Sequence, residues 1–256
     1  MNEYNKITAT ATGGRKLPSV AMKLNDIFIE NEIEGYRTLN VSGRETLSNI
    51  IDVQDLKKGT RVRDRKLPAR PLTIQYQLKA EDNNAFQKKF KELRKLLAGE
   101  NIEISFNDEP DAFYFGELEA MSSVPPHSNS VIGEFVMYCP LPYIYGEEVI
   151  TSGEVTIDTF YTTQPHLIKV TTSKAVNGLS VSNGKQEIRL TKKDAILGAG
   201  DIVEIDVRNN ELRVNGADKI FMVAMDSDYG NFVIEQGQTL VSAEGTIELV
   251  QREVWL

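Results

Sequence analysis

Cysteine is almost missing from this 256-residue chain. Cys139 stands alone, so no internal disulfide can form. Histidine is nearly as scarce, and neither His127 nor His166 has the neighbouring thiols or second imidazole that a zinc constellation needs. No window approaches the roughly 20 apolar residues of a membrane-spanning helix, and the opening "MNEYNKITATATGGRK" carries no apolar stretch before its first basic pair. These absences set the expectation of a soluble protein made in the cytoplasm, away from membranes, with no metal and no cofactor.

Positive charge is also in deficit. Lys and Arg number 29 against 37 Asp and Glu, for a net charge of -8. A general nucleic-acid binder would need a basic face to neutralise phosphates, so that class is disfavoured. What the chain does have is ordinary core-forming material: 41% hydrophobic and 26% charged residues exclude disorder of the whole chain. Its length favours two domains over one large β domain.

One helix is expected, from about Asn84 to Leu97, where Phe86, Phe90, Leu93 and Leu97 share a face. Asn84 with Gln87 reads as a capping box, and Gly99 stands where a left-handed residue would end the helix. Strands flank it. "PLTIQYQLKA" alternates Leu72, Ile74, Tyr76 and Leu78, and "NIEISF", "AFYFGELEAM" and "VIGEFVMYC" follow. From Val155 onward no amphipathic helix is evident. Short β runs recur between turns, Asn177-Gly178, Asn183-Gly184 and Asn215-Gly216 being the sharpest. They make about eight to ten strands, "NFVIEQ" among them, the number of a sandwich or jelly roll. The expected fold is mainly β with one α-helix: an N-terminal β-sandwich plus helix over 1–148, then a C-terminal β-sandwich over 149–256.

Residues suited to chemistry are thinly spread. Asp108, Glu109 and Asp111 in "FNDEPDAFYF" have the composition of a carboxylate pair, but Asn-Asp-Glu-Pro is also turn chemistry and no second cluster faces it. His127 and His166 each follow a proline at a loop edge, without a nucleophile nearby, and Cys139 reads as a core thiol. Gly13 and Gly14, followed by Arg15 and Lys16, lack phosphate-loop spacing and read as a turn. In "MDSDYGNF", Asp226 and Asp228 beside Tyr229 suit calcium or a sugar, or simply a loop. No catalytic residue emerges.

The anomaly is "KKGTRVRDRKLPAR". Lys57, Lys58, Arg61, Arg63, Arg65, Lys66 and Arg70 face a single acid, Asp64, inside an acidic chain. Such a ribbon is either a hydrated loop or an arm laid across the anionic surface of a neighbouring copy. Segregation of charge within one chain favours the arm, and head-to-tail pairing of that kind closes into rings.

Five pieces then occur in one order: "YRTLNVSGRE", "RDRKLPARPLTIQYQL", "FQKKFKELRKLLAG", "ISFNDEPDAFYFGELE" and "GEFVMYCPLPYIYGEE". Across roughly residues 26 to 148 this resembles the N-terminal domain of the distal tail proteins of siphophages infecting Gram-positive bacteria. "DIVEIDVRNNELRVNGADKIF" is similar, less closely, to that family's galectin-like second domain. The resemblance implies a homo-hexameric ring joining the tail tube protein to the tail-tip or baseplate protein, with a central channel through which DNA leaves unbound. It implies a virion protein assembled in the bacterial cytoplasm, and a subunit clasp at the position of Lys57 to Arg70. The alternative is a tail protein that binds host cell-wall carbohydrate through Tyr229, Phe232 or Trp255. A peptidoglycan hydrolase ranks third, for want of a nucleophile, metal or opposed carboxylates.

Overall fold

The computed structural model describes residues 16–125, 127–158, 163–191 and 196–256. Gly13, Gly14 and Arg15 of the expected N-terminal turn lie outside them. The chain divides into two compact units. Unit 1 runs to Ile144 and takes in Leu256, and unit 2 is Tyr145–Trp255.

Unit 1 opens with β1 (Met22–Leu24), β2 (Ile27–Phe28), the short α1 (Ile29–Glu32) and β3 (Tyr36–Ser42). A hairpin follows, β4 (Ile50–Asp55) and β5 (Thr60–Lys66), then β6 (Arg70–Lys79) and α2 (Asn83–Leu97). Three long strands complete it: β7 (Ile102–Phe106), β8 (Glu109–Met121) and β9 (Ser130–Cys139). All pairings are antiparallel. β3, β6, β9 and the second half of β8 form one run, while β2, β1, β7 and the first half of β8 form another. β8 is therefore the strand on which both runs close.

The alternation in β6 has the expected cause. Leu72, Ile74, Tyr76 and Leu78 are all fully buried, and the residues between them face outward. Tyr76 stacks on Tyr36 at 5.7 Å between ring centroids and meets Phe135 at the same separation. α2 packs against β6 through Phe86, Leu93 and Leu97. Its cap differs from the expectation. Asp82 is the N-cap, its carboxylate accepting from the Ala85 N–H at 2.8 Å, because the chain turns helical one residue before Asn84. Gly99 does not adopt the left-handed conformation. Asn101 does, at φ 46°.

Unit 2 contains nearly all of β10 (Ile144–Thr151), then β11 (Leu167–Thr172), β12 (Gly178–Ser182), β13 (Glu187–Thr191), β14 (Ile202–Asp206), β15 (Glu211–Val214), β16 (Ala217–Asp218) and β17 (Gly245–Trp255). β10, β17, β11, β14, β15 and β16 are hydrogen-bonded in that order. β12 and β13 form a separate hairpin whose Leu179, Val181, Ile188 and Leu190 share one core with Ile168, Val170, Val203, Ile205 and Leu249. The described residues after Val155 thus hold seven strands, fewer than expected. "NFVIEQ" is not one of them: Ile234 makes only an isolated bridge to Thr163.

The three Asn-Gly turns behave differently. Asn215 and Gly216 both take positive φ and link Val214 to Ala217 as a two-residue hairpin. Asn183 begins a four-residue turn in which its side chain accepts from Lys185 and Gln186 N–H groups. Gly178 is already in β12. It is needed there for closeness, since a Cβ would sit 2.7 Å from the Leu190 carbonyl oxygen.

Candidate subunit interface

The basic ribbon is the β4–β5 hairpin and its exit toward β6. The two strands pair only with each other, from Ile50 opposite Lys66 to Asp55 opposite Thr60, with a register shift after Asp52. Every side chain on both is exposed. Among them are apolar residues that ordinary folding would bury: Ile50, Ile51, Val53 and Val62, with Leu56 at the tip. An isolated two-stranded hairpin is at best marginally stable in water. This one exposes apolar and charged side chains together along both strands.

Six of the seven expected cations lie on this arm. Lys57 and Lys58 occupy its turn, and Arg61, Arg63, Arg65 and Lys66 lie along β5. Lys66 reaches Asp64 at 3.7 Å, an exposed pair worth little. Lys57, Lys58, Arg61 and Arg63 make no ion pair among the described residues.

Arg70 does not join them. It begins β6 and is only 4% exposed. Its guanidinium donates to the carbonyls of Pro142 (2.9 Å), Gly43 (3.2 Å) and Arg44. Gly43 and Arg44 lie where the chain leaves for the arm, and Arg70 lies where it returns, so one side chain rivets both ends. Counting charge along the sequence cannot make that distinction, because a buried arginine with carbonyl partners and a hydrated one have the same letter. Gly43 supports the rivet with a φ of 102°, and a Cβ there would lie 2.2 Å from the Pro71 carbonyl oxygen.

The other candidates have structural employment. Asp108 is in the two-residue turn between β7 and β8, held by Arg44; Glu109 lies 3.6 Å from the same guanidinium, which stacks over Phe106. Asp108 is therefore tied up rather than poised for acid–base work. The sugar contacts fail for a similar reason. Phe232 is fully buried, and Tyr229 is buried with its hydroxyl against the carbonyls of Glu211 (2.6 Å) and Asp206 (3.0 Å). Neither ring offers a face to a ligand. Asp226 pairs with Arg189 at 2.6 Å, and Asp228 accepts from the Glu187 N–H, so of the readings open for this stretch, calcium, sugar or simply a loop, the structure has a loop braced from within. No group of three or more His, Cys, Asp or Glu among the described residues is placed to hold a metal.

His127 is exposed in a turn at φ 58°. His166, before β11, lies between Glu148 of β10 and Arg208, with Arg252 of β17 bonded to the same Glu148. Burial, then the two arginines, lower its pKa to about 4. Cys139 ends β9 fully enclosed, and burial pushes its thiol up to about 12, the condition of an inert core cysteine. No helix among the described residues is long and apolar enough to cross a membrane.

Comparison with known proteins gives this arrangement its context. A family model described as a phage tail protein RIFT-related domain matches residues 31–136, and one described as the C-terminal domain of a siphovirus-type tail component matches residues 159–255. Together they span most of the chain. The chain belongs to the siphophage distal tail protein family. A relative in that family, the distal tail protein of Bacillus phage SPP1, is 23% identical over 215 residues, 80% of this chain and 82% of its own. The crystal structure of SPP1 Dit, a paradigm of the hub adsorption apparatus in phages infecting Gram-positive hosts, superposes with a TM-score of 0.65 at 18% identity. It covers 93% of this chain and all of its own. A chain of the phage P2 baseplate in its activated conformation matches with a TM-score of 0.60 at 9% identity, over 88% of this chain and 92% of its own. These matches carry the mainly β, one-helix, two-domain fold, and family membership makes this a structural protein of the phage tail.

Proposed function

We propose that six copies of this chain close into a ring that joins the tail tube to the tail tip or baseplate and leaves an open channel for DNA. In this reading unit 1 builds the ring and the β4–β5 arm clasps the next copy. The protein is a non-enzymatic virion component, assembled in the host cytoplasm, whose partners are itself, the tube protein and the tip protein. Its net charge of -8 suits a lumen that denies the departing genome sticking points.

The observation that carries the proposal is the arm, with exposed isoleucines and valines, and with Lys57, Lys58, Arg61 and Arg63 unpaired among the described residues, on a hairpin whose strands are exposed throughout. Six identical arms and six identical acceptors satisfy one another without remainder in a closed cyclic assembly. Replacing Arg61, Arg63 and Arg65 by Glu tests it. The variant should keep the β-rich circular dichroism of the parent yet run as a monomer by light scattering where the parent forms a closed oligomer. An unchanged oligomer would overturn the clasp.

A further inference from the structure

If the arm clasps a neighbour, the neighbour must present anions beside an apolar floor, and unit 1 has such a place. An open groove of about 380 Å³ lies between α1 and the C-terminal end of α2. Leu96 is the partly exposed apolar residue of its floor, with Ile33 and Ile102 buried beneath it, and Gly99 adds no side chain. Its rim carries three exposed carboxylates, Glu32, Glu92 and Glu100, against one cation, Lys95. None of the three has an ion-pair partner among the described residues.

The tip of the arm has the complementary composition. The Leu56 N–H closes on the Gly59 carbonyl at 2.9 Å, and Gly59 takes a φ of 84°, so Leu56, Lys57, Lys58 and Gly59 make a tight turn. Leu56 is 52% exposed there and has two unpaired lysines beside it. The tip is thus one apolar side chain flanked by two cations, and the groove is one apolar floor ringed by three anions.

We infer that the groove formed by α1 and α2 is the seat for the arm tip of a second copy of this chain. Leu56 covers Leu96, behind which Ile33 and Ile102 are already buried, and Lys57 and Lys58 face Glu32, Glu92 and Glu100. The apolar contact supplies the seat, and the charges set the register and deter the wrong docking. Because the donor and acceptor are on one chain but cannot meet within it and also close a ring, each copy gives its tip in one direction and receives in the other. The inference rests on the ring reading above and specifies where its clasp ends.

A charge swap tests it on the full chain. Lys57→Glu with Lys58→Glu alters the tip, and Glu32→Lys with Glu100→Lys alters the groove; Glu92 is left alone because a lysine there would crowd Lys88, Lys91 and Lys95 on α2. Each pair should raise the dissociation constant of the oligomer about tenfold or more, and the four changes together should recover most of it. All four positions are exposed, so thermal melts of the variants should stay near the parent. Leu56→Cys with Leu96→Cys should form a disulfide between chains under oxidation, while Cys139 stays buried and unreactive. Oligomers that survive the groove changes but not the arginine reversals would leave the ring standing and overturn this seat. A parent protein that never self-associates would overturn both.

Discussion

Arg44 and Asp108 meet as a fork, with two parallel hydrogen bonds of 2.8 and 2.9 Å across 64 residues of sequence. Arg44 lies where the chain departs for the arm, and Asp108 sits in the β7–β8 turn. The side chains are 12% and 32% exposed, so this pair is far better sheltered than those on the arm. Asp108→Asn removes the countercharge and one acceptor, leaving Glu109 at 3.6 Å as the residual carboxylate. The expected cost is about 1–3 kcal/mol in urea unfolding, with Arg44→Lys falling between because an ammonium cannot make the fork. A variant as stable as the parent would mean the pair is ornamental.

Arg70 predicts a larger loss. Its guanidinium serves three carbonyls, and Arg70→Met would remove this donor from Pro142, Gly43 and Arg44 at the root of the arm, leaving Gly43 only the Thr46 hydroxyl. A loss of roughly 2–4 kcal/mol is expected, along with faster proteolysis between Arg44 and Arg70. Proteolysis is the discriminating measurement. If the arm is cleaved no faster in the variant, Arg70 stabilises the unit without fixing the arm.

The N-cap of α2 gives a smaller, local effect. Asp82→Ala should lower stability by about 1 kcal/mol, while Asn84→Ala, at the position sequence spacing favoured, should cost a few tenths at most. Paired thermal melts of the two variants rank the caps directly.

These contrasts show what sequence can and cannot carry. β6 was legible because Leu72, Ile74, Tyr76 and Leu78 meet one core at a period of two, and the face of α2 because it meets the same core at a period of 3.6. The pairing of β4 with β5 was not, since alternation appears only when one face is buried and here neither is. The charge of the arm was plain, yet the separate task of Arg70 depends on carbonyls that come close only after folding. Tyr229 and Phe232 looked available because loop composition does not record the direction in which a side chain points. The acid groove has no signature in the sequence: Glu32, Glu92 and Glu100 are spread over 69 positions in the chain, and no local window holds them together.

Stability should also depend on pH through His166. The Arg208 Nη1, which can only donate, lies 3.1 Å from Nδ1, so Nδ1 must be the unprotonated nitrogen and Nε2–H faces Glu148 at 3.3 Å. A second proton would have to sit on Nδ1, against the guanidinium, in a site already short of water. Burial first, then Arg208 and Arg252, accordingly hold the pKa at about 4, below its ordinary 6.5, with Glu148 and Asp206 opposing. Between those two values the unfolded chain binds a proton that the native chain refuses. Stability therefore falls as pH drops from 6.5 toward 4, by at most about 1.4 kcal/mol per pH unit, and levels off below. The titrating carboxylates add their own slope, so the informative quantity is the difference between the parent and His166→Gln. Glutamine keeps an acceptor for Arg208 and a donor for Glu148 but cannot titrate. Urea unfolding at about pH 7, 6 and 5 should show the two proteins diverging, the parent losing stability faster on acidification. Parallel curves would mean that His166 takes its proton in the native state without displacing Arg208, and the site would then be more open to water than its geometry implies.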